Sequence, residues 1–154
     1  MKISTRGRYG LRAMADLASR DGGGSVKLKS IAERQGISEH YLEQLAAVLK
    51  KAGLINSERG SKGGYRLNAP PEKIIVGDIL RALEGPLYPV GCVSEDGDHD
   101  AACGAVGCEG CVTRPVWQKI YGSLSGVVDT MTLRDLTGPI AADELSAAAG
   151  AHTN

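Results

Sequence analysis

The sequence predicts a mainly α fold with a small β wing, in which a winged helix-turn-helix is followed by a long C-terminal dimerisation helix. Three observations carry that prediction. Within Ile31 to Tyr65 (IAERQGISEHYLEQLAAVLKKAGLINSERGSKGGY), Ala32 and Gly36 stand four apart, small where two helices cross and free to take a turn, and apolar Ile37, Leu42 and Leu45 can pin the second helix onto the first. The glycine-rich basic stretch Arg59-Gly60-Ser61-Lys62-Gly63-Gly64 then reads as a hairpin loop. From Pro115 to Met131, apolar residues recur every three or four positions over 17 residues, a rod of about 25 Å.

Each element follows from local chemistry. Ser4 or Thr5 can cap a first helix running to about Ser19, with Tyr9, Leu11, Met14, Leu17 and Ala18 near one face and Arg6, Arg8, Arg12 and Arg20 on the others. Gly22-Gly23-Gly24 ends it. After an extended Val26-Lys27-Leu28, a brief second helix spans Ser30 to Gln35 and Gly36 turns the chain. Ser38 is a good N-cap for a recognition helix through Lys51, in which Tyr41, Leu42, Leu45 and Leu49 form the apolar side and Lys50-Lys51 meet the negative C-terminal end. Gly53 closes that helix.

Leu54 to Glu58 and Tyr65 to Leu67 are the expected wing strands, and Pro70-Pro71 separates them from a fourth helix, Gly77 to Glu84, stopped by Gly85-Pro86. Residues 86–112 lack a hydrophobic period and carry an acidic run, Glu95, Asp96, Asp98 and Asp100; a loop of that length calls for a ligand or a function. Thr113 reads as the N-cap of the long helix, with Pro115 in its first turn and a stripe of Val116, Trp117, Ile120, Tyr121, Leu124, Val127, Val128 and Met131. Such a rod must bury its stripe. A matching rod from a second subunit is the economical partner, and folding back onto its own domain is the alternative. The expected organisation is a DNA-binding domain over 1–85, a cysteine-rich sensor loop over 86–112, the dimerisation helix and a short turn over 113–137, and a disordered alanine-rich tail over 138–154.

Charge separates the two halves. The net charge is zero, yet residues 1–66 carry 13 Lys+Arg against 6 Asp+Glu, while residues 67–154 carry 5 against 12. A duplex rewards clustered cations by counterion release, so the first half is expected to face double-stranded DNA. Phe is absent, which leaves an aliphatic core suited to crossing helices. No apolar run approaches the ~20 residues of a bilayer span, and the basic start MKISTRGRYG has no apolar segment after it, so a cytoplasmic protein without a membrane partner is expected. In a reducing compartment four cysteines between 92 and 111 read as ligands or redox sensors before disulfides.

The DNA face can be assigned by residue. Ser38, Glu39, His40, Glu43 and Gln44 lie at the start or exposed side of the recognition helix; Gln44 can pair with adenine, and Glu43 can accept from cytosine N4 but repels phosphate. Tyr41 is expected to straddle core and backbone contact. Arg59 and Lys62 on the wing suit minor-groove or phosphate contacts, with Lys2, Thr5 and Arg6 on the flanking backbone. Taken singly, each is also an ordinary surface group.

Five segments in order, MKISTRGRYGLRAMADLA, IAERQGIS..YLEQL, AGLINSERGSKGGYRL, VGDILRALEGP and CVTRPVW, resemble the Rrf2 family of bacterial transcription regulators, and the similarity extends from residue 1 to about 137. The resemblance implies a homodimeric winged-helix regulator whose loop before the dimerisation helix often holds an iron–sulfur cluster through three cysteines. Some members sense iron, nitric oxide or cluster supply in that way; others hold no cluster and sense through protein partners. By position, Cys92 matches the family's first cysteine and Cys111 its last, while the middle ligand is Cys103, Cys108 or both. The family's further ligand, a His after the last cysteine or an acidic residue near position 8, is replaced here by Arg114 and Arg8.

The four cysteines, spaced Cys92-x10-Cys103-x4-Cys108-x2-Cys111, can therefore supply every position of a [2Fe–2S] or [4Fe–4S] cluster. A tetrahedral zinc site or a thiol–disulfide switch is the alternative. A different class, a small iron–sulfur electron carrier whose basic half docks an acidic partner, also fits the cysteines. Catalysis is not expected: there is no nucleotide-binding glycine fingerprint, and the histidines stand apart at 40, 99 and 152.

Overall fold

The Ser4 hydroxyl accepts from the amides of Arg6 and Gly7, so α1 (Thr5–Ala18) starts where the sequence places its cap. The computed structural model describes residues 3–60, 62–94, 107 and 109–137. Lys2, Ser61, Cys103, Cys108 and the expected tail lie outside the described residues. α2 (Leu28–Gln35) begins two residues earlier than expected and ends at Gly36, whose φ of 63° is the left-handed turn anticipated for it. α3 (Glu39–Lys51) is capped by Ser38, whose side chain accepts from the Tyr41 amide at 3.1 Å.

β1 (Ile55–Glu58) pairs antiparallel with β2 (Gly64–Leu67), Ile55 facing Leu67 and Glu58 facing Gly64. The wing has one support that the sequence reading lacked. Val26 bridges to Tyr65 through two 2.8 Å backbone bonds, and the Val26 backbone passes so close to Gly64 that a Cβ there would overlap it. The fold class is thus as expected, mainly helical with a two-stranded wing.

α4 (Val76–Glu84) crosses α1 where Gly10 makes room for Leu83. Met14, Ile31, Leu42, Leu45, Leu49, Ile55, Ile79 and Leu133 are wholly buried and join the three helices of the first half to α4 in one aliphatic core. Leu133 comes from beyond the long helix.

The C-terminal half departs from expectation in three places. α5 (Arg114–Val128) is 15 residues long and stops before Met131, because residues 131–133 leave the helix to pair with the strand-like approach to α4: the Val76 N–H donates to the Met131 carbonyl at 2.9 Å and the Leu133 N–H to the Ile74 carbonyl at 2.8 Å. Thr113 is the N-cap residue of α5, as expected, but its side chain makes no capping hydrogen bond; its hydroxyl lies 3.3 Å from the Cys111 Sγ. The start of the expected open loop is packed, with Leu87 buried against Val76, Leu80 and Val128, and a 3-10 turn over Gly91–Val93.

The apolar stripe of α5 also divides. Leu124 and Val128 lie on α4, and Trp117 and Tyr121 lie on Cys92 and Val93, so part of the rod folds back onto its own chain. Val116, Ile120 and Val127 remain 55%, 41% and 57% exposed.

Candidate nucleic-acid interface

The exposed side of α3 carries Glu39, His40, Glu43 and Gln44, with Ser38 at its mouth, all open to solvent as the sequence reading placed them. Gln44 Nε2 lies 3.3 Å from His40 Nε2, and Glu43 Oε2 lies 3.7 Å from His40 Nδ1, so the three side chains form one polar group on consecutive turns. Tyr41 is half-buried, its ring edge-on to Tyr9 at 6.2 Å between centroids. That ring contact is the packing half of the straddling position expected for Tyr41.

α1 meets this surface directly. Arg6, Tyr41, Gln44, Leu45 and Val48 line one open crevice of about 290 Å³, which brings a candidate backbone contact and a candidate base contact to the same wall. Thr5 and Arg6 are both exposed. Arg59 and Lys62 are exposed on the wing loop, where Gly60 has a φ of 110° that a side chain would resist. Lys50 Nζ donates to Ser57 Oγ at 2.5 Å and ties the end of α3 to β1, while Arg66 Nε pairs with Glu58 Oε1 at 2.8 Å.

A buried carboxylate that the sequence pattern does not reveal fixes α2 against α1. Asp16 is buried, and its carboxylate accepts from Arg34 at 2.5 and 3.0 Å and from Gln35 at 2.9 Å. Arg12 then donates to the Gln35 side chain at 3.2 Å and to the Gln35 carbonyl at 2.6 Å, with its guanidinium 5.6 Å from the centre of the Tyr9 ring. Burial alone pushes the Asp16 carboxyl up, but the hydrogen bonds from Arg34 and Gln35 and the charges of Arg34 and Arg20 together outweigh it and hold the group below the usual carboxylate range. The same bond raises the Arg34 guanidinium. The available signal was an aspartate three residues from Ala13 on the apolar side of α1.

Two of the four candidate metal ligands can be placed. Cys92 is buried against Val90, Trp117 and Tyr121, and Cys111 is half-exposed just before α5. Arg114 Nε donates to the Cys92 carbonyl at 3.4 Å, which holds the two ends of the cysteine segment to the same end of α5. By residue type alone, four thiols in one segment are a donor set that suits a metal or cluster. Among the described residues no three His, Cys, Asp or Glu side chains gather into a metal site. No described helix is long and apolar enough to cross a membrane.

Residues 3–139 match the family model Rrf2, described as an iron-dependent transcriptional regulator. The chain is similar to the HTH-type transcriptional regulator CymR of Bacillus subtilis, 47% identical over 136 residues that cover 88% of this chain and 89% of that one. The solved structure of that protein, named the global cysteine regulator, superposes with a TM-score of 0.73 at 45% identity, covering 89% of this chain and 96% of the other. T. potens IscR superposes at 0.67 and 45% identity, covering 100% and 93%. The oxidized form of Staphylococcus aureus CymR gives 0.68 and 42%, covering 90% and 98%.

Proposed function

The chain belongs to the Rrf2 family of transcriptional regulators, and from that premise we propose that it acts as a homodimer that reads a two-fold DNA operator and is controlled through its cysteine segment. The observation that carries the reading is the shared wall of Arg6 and Gln44: a cation for phosphate and an amide for a base edge meet beside the exposed start of α3. On this reading Ser38, Glu39, His40, Glu43 and Gln44 enter the major groove. Arg59 and Lys62 follow the wing to the neighbouring backbone or minor groove, and Lys2, Thr5 and Arg6 hold the flanking phosphates. The exposed Val116, Ile120 and Val127 of α5 meet their counterparts in the second subunit. Gel-shift titration against a genomic fragment library at two salt concentrations tests the proposal: selected fragments support it, and uniform or absent binding overturns it.

Cys92, Cys111 and one or both of Cys103 and Cys108 would hold an iron–sulfur cluster, as the spacing and the family's iron-dependent description suggest. Bound there, a cluster would supply sensitivity to iron, oxidants or nitric oxide. A second reading, a zinc site or a thiol switch without a cluster, draws on the similarity to a cysteine regulator and to an oxidized form of its counterpart. The visible spectrum and the iron and sulfide content of anaerobically purified protein separate the two. Colourless, zinc-loaded protein contradicts the cluster.

A further inference from the structure

Glu84, the last residue of α4, reaches across 77 positions of sequence to the first turn of α1. Its Oε1 accepts from the Gly7 N–H at 2.7 Å and from the Ser4 hydroxyl at 2.5 Å. Ser4 thus donates its O–H to Glu84 while its oxygen accepts from the amides of Arg6 at 3.0 Å and Gly7 at 3.4 Å. Glycine is required for this approach, since a Cβ at Gly7 would fall on the carboxylate. One backbone donor that a helix start normally leaves to water, the Gly7 N–H, and the capping Ser4 hydroxyl are therefore both held by one side chain from a different helix, with its charge on the favourable end of the dipole.

The position of α4 in the molecule gives this contact its meaning. Gly85, with a φ of 82°, ends α4 and sends the chain toward Cys92. On the same helix Arg81 Nη2 donates to Asp129 Oδ2 at 2.7 Å, just past the end of α5, and Gly77 leaves the room that this pair occupies. One helix is thereby fastened at its middle to the rod and at its end to the turn of α1 that presents Thr5 and Arg6.

We propose that Glu84 is a positioning residue for DNA binding, a carboxylate latch that holds the phosphate-facing first turn of α1 to the helix from which the cysteine segment departs. The inference rests on the DNA-binding reading above. Without the latch the first turn of α1 keeps only its Ser4 cap and frays, so the groups at 5 and 6 lose a fixed place against the backbone.

The test compares the wild type with Glu84→Ala, Glu84→Gln and Gly7→Ala on a fragment selected by the wild type, over a series of salt concentrations, alongside amide exchange at residues 5–8. Gly7→Ala raises the helix propensity of α1 while evicting the carboxylate, so it separates loss of the latch from loss of the fold. Glu84→Ala and Gly7→Ala should bind about tenfold more weakly, a change worth about 1.4 kcal/mol, with a shallower dependence on salt. Glu84→Gln, which keeps an acceptor oxygen, should recover most of the affinity. Gly7 exchange should quicken in Glu84→Ala while exchange within α3 stays unchanged. Wild-type affinity and salt slope in both Glu84→Ala and Gly7→Ala would overturn the proposal. If the wild type selects no fragment, the DNA-binding reading falls and the positioning role with it, while the Gly7 exchange rate still decides whether the latch exists: an unaltered rate in Glu84→Ala denies it.

Discussion

At the scale of single residues, Asp16 has the sharpest expected signature. Its carboxyl is held below the ordinary range, so the stabilisation it gives is complete above about pH 4, where the unfolded-state group is also ionised, and is lost as pH falls through the folded-state value. Asp16→Asn should cost about 1.5–3 kcal/mol at neutral pH and flatten that part of the acid-unfolding profile, which denaturant titrations between pH 2 and 7 would read. The wing cations act differently. Arg59→Ala and Lys62→Ala should leave stability within about 0.5 kcal/mol of wild type, since both side chains are exposed, yet each should lower the salt slope of DNA binding by about 1. The exposure of these two side chains was legible because it depends on residue type and place in one element. The Asp16 cluster was not, because the partners that satisfy its charge lie on the next helix and no period reveals a pair between elements.

Among the elements, α1 to α4 and the wing were legible to within two residues, because apolar spacing and glycines mark their extents and serine caps mark the starts of α1 and α3. α5 was legible in kind but not in length. Its pattern runs on to Met131, and only the pairing of residues 131–133 with the approach to α4, set by contacts some 55 residues away in sequence, ends it at Val128. Nor could periodicity say that its stripe divides between an inward side and an exposed one. That division yields a prediction: Ile120→Glu should shift the protein toward monomer in sedimentation velocity while the thermal midpoint of the domain changes little, because Ile120 is open to solvent whereas Leu124 and Val128 carry the packing on α4. Trp117, the one tryptophan of the chain, packs on Cys92 and should report metal or cluster binding by a change in its emission. Constant emission on loading would place the metal elsewhere.

For the molecule as a whole, the segment after α5 belongs to the core of the first half rather than to an appended rod. Leu133 has no exposed surface and sits among residues of α1, α3 and α4, so Leu133→Ala should destabilise the entire chain by about 2–5 kcal/mol in a single cooperative transition. The sequence pattern sets 113–137 apart as a separate piece, because a helix period shows which face is apolar and not what covers it. The central claim remains that two copies of this chain present paired α3 helices to one duplex. Selection from random-sequence duplexes followed by sequencing tests it most directly. The account predicts enrichment of two-fold-related half-sites whose centres lie about one helical turn, or a whole number of turns, apart; enrichment of a lone, unpaired half-site, or of no sequence at all, would contradict it.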